Sequence, residues 1–473
     1  MKNGPMSEPP LKTTLTTPAL LVMCVTIFFS VANASMSSIA LPDIARDFRV
    51  APDDLSWVVT AYLIPFATGT IVYGRLADMF GTRRMYLIGL VLFTVASFAS
   101  AAAPSFGLLI VARAVMGMGG TAVPSLSLAT IIRTTSRGDR APAMGATVMT
   151  VGLGFATGPI LGGWLVDMWG WHGPFLGIAV CSTLVLPVAF AMVPGVPGIP
   201  GQRFDIPGAV SAVGAVTGTV LAINRLPAHP IDAIGLAGAI AAPLFLAGLV
   251  FRIRTAAEPF IHREVAANTR FWGLAVVGFT AQGTHFAVVV MVPLLLAGQF
   301  GMDTIRIGLY LLPGALAIAA FGMMGGRLLN RVGARPLLVV GTSVMLSGTL
   351  LGHLVGVDWE PAGVAMVYMV VAAGYGMVQS AVITAAAGAL PERLAGLASG
   401  SFNLVFFLGG AVTVALQGAV LRSRGDAADA WDPLFTGAPV AFSDALIIVV
   451  VLGVMGLALA LRFAPSRDHA LHV

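Results

Sequence analysis

"GRLADMFGTRR" occupies residues 74–84 and "GRLLNRVGAR" occupies 326–335. Both run glycine, a polar residue at +4 (Asp78, Asn330), glycine at +7 (Gly81, Gly333) and arginine at +9 (Arg83, Arg335). The two stretches stand 252 residues apart, 326 minus 74. Each closes one apolar run, turns sharply and opens another. A charged turn repeated with the same internal offsets points to a duplicated unit, so the turn recurs because the half that contains it recurs.

The composition says what kind of unit this is. The chain is 57% hydrophobic and 10% charged, with a mean hydropathy of +0.92. Soluble domains carry roughly 25% charged residues, so this chain lacks the polar surface to live in water. Its charges fall in short clusters between apolar runs of about 20 residues, the length that crosses a bilayer as a helix. Lipid obliges each run to satisfy its own backbone, which a helix does. Fourteen spans are expected, at 18–41, 56–78, 85–103, 105–132, 140–166, 173–193, 205–224, 231–252, 271–298, 304–329, 335–356, 362–389, 396–422 and 441–462. "ANAS" at 32–35 has the small-x-small form of a cleavage site. The apolar stretch ahead of it is long for a signal helix and thirteen spans follow, so it reads as part of the first span.

Charge sets the orientation. With the N-terminus cytoplasmic and sides alternating, 19 basic residues fall inside and 6 outside, with Arg113 within a span, which accounts for all 26. The net charge of +5 therefore reflects topology and does not argue for nucleic acid. Treating 205–252 as two inserted helices leaves two six-helix halves, 18–193 and 271–462, with cytoplasmic tails at 1–17 and 463–473. The expected architecture is thus an all-α integral membrane protein of the cytoplasmic membrane, read as a monomer. Transporters are often built from such repeats, with the small-molecule site between them near mid-membrane. There is no CxxC, no HExxH and no GxxxxGK phosphate loop. No cofactor or metal is expected, and an ATP-driven pump is excluded. Cys24 and Cys181 both lie in spans and read as small apolar residues.

The fifth span, "GATVMTVGLGFATGPILGGWLVD" at 145–167, sets Gly154, Gly158 and Gly162 four apart on one helix face, with Pro159 able to bend the helix. With this stretch the sequence resembles the major facilitator superfamily, in particular its fourteen-helix drug:proton antiporter branch. "GRLADMFGTRR", with Gly74, Asp78, Gly81, Arg83 and Arg84, looks like the superfamily's loop signature after helix 2. Gly145, Gly154, Gly158, Pro159, Gly162 and Gly163 match the antiporter signature of helix 5. "LIVARAVMGMGG" at 109–120, "ALPDI" at 40–44, "RFDIPG" at 203–208 and "GLASGSFN" at 396–403 resemble further marks of that branch. The resemblance implies proton-coupled export of drugs or antibiotics by alternating access, with lipid, protons and a small organic molecule as partners and no enzymatic activity. Three departures stand out. Cation exporters of the branch usually carry an aspartate where this chain has Asn33; the helix 4 signature often has glutamine where it has Met116, and the turn after helix 5 commonly reads Trp-Arg where it has Trp171-His172.

No acidic residue falls at mid-depth in the expected spans, whereas Arg113 and His285 do. Ionisable groups there are costly and mark functional sites. In the resemblance Arg113 serves proton relay or substrate exchange. The alternative is a structural arginine bonded to backbone carbonyls. His285 has a side chain that titrates near neutrality in water, and so is a candidate proton carrier, the alternative being a neutral interhelical hydrogen bond. Asn33, Ser35, Ser37, Ser38, Tyr62, Ser125, Ser127, Gln282, Gln379 and Asn403 are candidate cavity polar groups. With Asn33 uncharged and Arg113 present, the expected substrate is neutral, weakly anionic or broadly apolar, and not a strong dication. The alternatives are an exporter or importer of one metabolite, or a membrane sensor that kept a transporter fold.

Overall fold

The computed structural model describes residues 15–50, 55–198, 204–226, 232–302, 304–354, 360–391, 394–424, 431 and 440–465. The two terminal tails lie almost wholly outside the described residues. Every element among those described is helical. The N-terminal set is α1 (Thr17–Ile39), α2 (Leu41–Phe48), α3 (Ser56–Phe80), α4 (Thr82–Ala101), α5 (Phe106–Thr134), α6 (Arg137–Trp169) and α7 (His172–Met192). A hairpin follows, α8 (Ile206–Arg225) and α9 (Ala233–Thr255), then the one-turn α10 (Arg263–Ala267). The C-terminal set is α11 (Thr269–Phe300), α12 (Thr304–Val332), α13 (Ala334–Leu354), α14 (Pro361–Ala387), α15 (Ala395–Ser423) and α16 (Val440–Phe463).

Among the described residues, twelve helices are long and apolar enough to cross a membrane. α1, of 23 residues, and α6, of 33, hold the further apolar stretches Thr17–Asn33 and Ile160–Trp169 among the described residues. Between the first two expected spans, a stretch for which no separate element is expected forms α2. Leu41-Pro42 starts it, Ile44 is fully buried, and Arg49 closes it with the left-handed φ of 52°. Side-chain caps begin several helices. Ser105 accepts from the Leu108 N–H, Asp232 from Gly235 and Asn268 from Phe271, each meeting one of the donors that a helix start leaves open.

The packing repeats. In the N-terminal set α1 lies on α6 and α7, α3 on α5, and α4 on α5 and α7. In the C-terminal set α11 lies on α15 and α16, α12 on α14, and α13 on α14 and α16. The contacts between sets obey the same exchange, α6 on α12 and α3 on α15. Gly81 joins α3 to α4 at φ 91°, and Gly333 follows α12, ahead of α13, at φ 82°. Both lie in the positive-φ region where glycine is at ease. A Cβ on Gly81 would also stand 3.0 Å from the Val196 carbonyl oxygen. The glycine at +7 is therefore demanded by backbone geometry in both copies. The α8–α9 hairpin packs on itself, and α8 also reaches both α3 and α15.

Candidate functional site

Arg113 is fully buried in the N-terminal set. Its Nε donates to the Val58 carbonyl at 2.9 Å, and its Nη1 donates to Asn33 Oδ1 at 3.2 Å and lies 3.5 Å from Met116 Sδ. The guanidinium carbon sits 4.5 Å from the Tyr62 ring centre and 5.5 Å from that of Phe175. Four helices thus converge on one cation, and every one of these partners is neutral. Two glycines of the 109–120 stretch make this convergence possible. A Cβ on Gly117 would stand 2.2 Å from the Tyr62 carbonyl oxygen, and one on Gly120 3.0 Å from the Tyr62 hydroxyl. Tyr62 donates to the Ser30 carbonyl at 3.1 Å, and Ser30 to the Gly120 carbonyl at 3.0 Å. Asn33 Nδ2 is buried without a hydrogen-bond partner. An unmet buried donor beside a cation is unusual, because each such group costs about 1–3 kcal/mol.

The C-terminal set holds a second polar cluster. His285 of α11 stacks on Tyr375 of α14, with ring centres 4.1 Å apart and an interplanar angle of 9°. Tyr368 lies 6.2 Å away, and the Tyr375 hydroxyl donates to Gln282 Oε1 at 2.5 Å. His285 is Asn33 shifted by the same 252 residues that separate the two turns. The first helix of each set therefore presents its polar group at the same register. An aromatic path links the N-terminal cluster to the far set. Tyr62 stacks on Phe66 (5.4 Å), and Phe66 meets Phe407 of α15 edge-on (5.1 Å).

The sequence candidates thus separate into groups. Asn33, Tyr62 and Arg113 come together, as do Gln282 and His285. Gln379 and Asn403 are buried on α14 and α15, outside both clusters' hydrogen bonds, and Gln379 Oε1 has no partner. Ser37 donates to the Asn33 carbonyl at 2.6 Å and to Asn33 Oδ1 at 3.3 Å, which joins it to the Arg113 cluster, whereas Ser125 is spent on the Thr121 carbonyl at 2.7 Å. Ser127 is buried. The side chains of Ser35, Ser38, Pro159 and Asn330 lie outside the described residues.

The loop signature forms its own centre. Asp78 pairs with Arg133 at 2.5 Å, both largely buried, and accepts from the backbone N–H of Leu397 at the start of α15. One carboxylate so ties α3, α5 and the opposite set, where the positive end of a helix favours negative charge. Gly74 is buried; Arg83 donates to the Phe190 carbonyl at 2.5 Å, while Arg84 is exposed. On α6 the glycines serve two faces. Gly154 and Gly162 receive α1, with Phe28 O at 3.1 Å and Met36 Cα at 2.9 Å from their virtual Cβ positions. Gly145 receives α12, at Gly322 O and Met323 Cα, both 3.2 Å. Gly158 is buried. Gly163 meets nothing within 4 Å, so the signature glycine at that position packs against no protein atom here.

Sequence reasoning missed four features. Arg133 read only as a topology charge. Tyr375 sits in "GYGM", whose flanking glycines were the available signal. Asp444, fully buried on α16, bonds Arg424 at 2.7 Å and the Trp431 N–H at 2.8 Å. Asp205 accepts from Arg252 at 2.7 Å and from the N–H groups of Gly208 and Phe260, both at 3.1 Å. Burial opposes the charge on Asp205, but these bonds outweigh it and hold its carboxyl below the usual carboxylate range.

Comparison with known proteins agrees with this geometry. The profile described as Major Facilitator Superfamily matches residues 23–414. Multidrug resistance protein Stp of Mycobacterium tuberculosis is 31% identical over 409 residues, covering 84% of this chain and 74% of the relative. Multidrug transporter protein MdtP of Bacillus subtilis is 26% identical over 413 residues, covering 85% and 74%. Among solved structures, the human organic anion transporter MFSD10 (TETRAN) superposes with a TM-score of 0.66 at 16% identity, covering 93% of this chain and 99% of that one. The proton:xylose symporter XylE gives 0.66 at 16% identity, covering 95% of each. At that identity the structural likeness speaks for the fold alone.

Proposed function

The chain belongs to the major facilitator superfamily, and from that premise we propose that it exports drug-like organic molecules across the cytoplasmic membrane in exchange for protons. In this reading α1 and α6 complete fourteen spans, α1–α7 (with the short α2) and α11–α16 are the two halves, and both termini face the cytoplasm. The halves rock about the α6–α12 and α3–α15 contacts. The multidrug names of the two relatives support export. The 252-residue register that relates Asn33 to His285 supports a site shared by both halves. The small molecule would enter between Asn33, Tyr62 and Arg113 on one side and Gln282, His285 and Tyr375 on the other, with Gln379 and Asn403 as further polar contacts.

The observation that carries the reading is Arg113, a buried cation held only by neutral groups. Among the described residues the deeply buried carboxylates, Asp78, Asp205 and Asp444, already face arginines at helix ends. A site of that charge favours neutral or weakly anionic molecules over dications, because an unpaired buried cation repels like charge strongly in a low-dielectric setting. Protonation and substrate binding would compete for the same polar groups.

The test uses everted membrane vesicles with an imposed inward-acidic pH gradient and a pH-sensitive dye. Neutral or anionic drugs should dissipate the gradient, and only in vesicles that contain the protein. Dissipation confined to quaternary dications would overturn the charge assignment. Silence towards every class, with folded protein present, would favour a sensor, which the amide at position 33 would then explain.

A further inference from the structure

We propose that the inserted α8–α9 hairpin is a strap that holds the loop-signature end of the bundle closed, through an ion pair between Glu258 and Arg75. The turn after the hairpin is built into the C-terminal set, while α8 itself packs on both α3 and α15. Phe260, Ile261 and Val265 are buried in the same core cluster as Phe271, Leu274 and Leu397. The turn that carries Glu258 is held on both sides. Asp205 accepts the Phe260 N–H at 3.1 Å and the Arg252 guanidinium at 2.7 Å, which pins the start of α8 to the end of α9. Arg263 donates to the carbonyls of Ile253, Arg254 and Ala256 at 2.8–3.2 Å. From this braced turn the Glu258 carboxylate stands 3.7 Å from Arg75 Nη2.

Arg75 belongs to the opposite set. It lies on α3 one helical turn before Asp78, whose carboxylate already holds the α15 N-terminus. Arg75 is buried, whereas the Glu258 side chain is 45% exposed, so the pair opens towards water from one side only. Any motion that separates α3 from α15 at this end must break Glu258–Arg75 together with Asp78–Leu397. The insertion thereby adds a second clamp beside the one that the repeated turn supplies. Arg327, the residue related to Arg75 by 252, is exposed on α12, whereas Arg75 is buried and faces Glu258. The strap therefore acts on one copy of the turn. It rests on the alternating-access reading above, since a clamp needs a motion to oppose.

The test measures the opening of this end directly. Spin labels at Phe80 and Arg327, both exposed, report the separation of α3 and α12 in lipid nanodiscs after Cys24 and Cys181 are replaced by alanine. Glu258→Gln should raise the open-to-closed ratio about two- to fivefold, the effect of losing one half-exposed pair. Arg75→Gln should do the same, and the double variant should exceed neither single by more than the measurement error. In the unmutated protein about 1 M salt should reproduce the shift, with no further effect on Glu258→Gln. If Asp78→Asn opens this end while Glu258→Gln and salt leave the ratio unchanged, the strap is wrong and the rocking survives. One unchanging distance in every variant, at acid and alkaline pH alike, would refute both.

Discussion

The neutral residue at position 33 can be tested by restoring the charge. In Asn33→Asp the oxygen 3.2 Å from Arg113 Nη1 is kept, and the amide nitrogen without a partner is replaced by a second oxygen. At an effective dielectric near 20 the new attraction is about 5 kcal/mol at that distance. Removing the unmet donor returns about 1–3 kcal/mol. Burying a carboxylate costs several kcal/mol even after relaxation. The contributions nearly cancel, so the folded protein should change by no more than about 2 kcal/mol. The site's net charge meanwhile falls from +1 to 0. Selectivity should respond where stability does not. The ratio of anionic to cationic drug transport in the vesicle assay should fall at least about tenfold, equivalent to ~1.4 kcal/mol. The two readouts refute different steps. Destabilisation of more than about 4 kcal/mol in thermal unfolding would mean that Arg113 does not neutralise a charge at position 33. An unchanged selectivity in a stable variant would mean that this cluster does not sense the substrate's charge.

Other outcomes follow from the same geometry. Gly117→Ala should destabilise by about 1–3 kcal/mol in detergent melts, since its Cβ would meet the Tyr62 backbone at 2.2 Å, whereas Gly163→Ala, in open space, should be neutral or stabilising by up to about 1 kcal/mol. Asp78→Asn leaves Arg133 buried without its counter-charge, and should cost about 3–5 kcal/mol in equilibrium unfolding; a loss under 1 kcal/mol would show that the pair is not buried as described. Asp205 has a folded-state pKa below its unfolded value, so its contribution is fully present above the ordinary carboxylate range and is lost as pH falls through the depressed value. Asp205→Asn should therefore flatten the acid limb of a stability-against-pH curve, and an unaltered limb would count against the Arg252 pairing. If His285 carries the coupled proton, His285→Gln should abolish proton-coupled flux with melting temperature little changed; persistence of coupling would leave it as the neutral interhelical contact that its full burial favours.

Much of the fold was legible because lipid leaves few choices. Apolar length announces each span, and the turn at 74–84 and its copy announce the repeat, since Gly81 and Gly333 serve the same positive φ. The helix 5 glycines announced close packing, yet period alone did not show that α6 has two packing faces. Gly154 and Gly162 meet α1, while Gly145 meets α12. The short α2 escaped because an eight-residue amphipathic stretch at a span's end looks like loop. The site was partly legible. Arg113 and His285 stood out because ionisable groups are rare at mid-depth, but their partners did not. Tyr62, Val58 and Asn33 come from different helices, and nothing local in the chain says that they meet.

Sequence by itself determined that this chain is helical, spans a membrane many times and repeats its own plan, because each of these follows from local polarity and backbone satisfaction within single segments. Tertiary structure alone decided which groups pair. Asp78 finds Arg133 and the Leu397 N–H, Arg113 finds only neutral acceptors, and Glu258 on the insertion finds Arg75. Those choices depend on how helices far apart in the chain are turned about their axes. A rotation of a few tens of degrees leaves every span's composition unchanged and alters every partner.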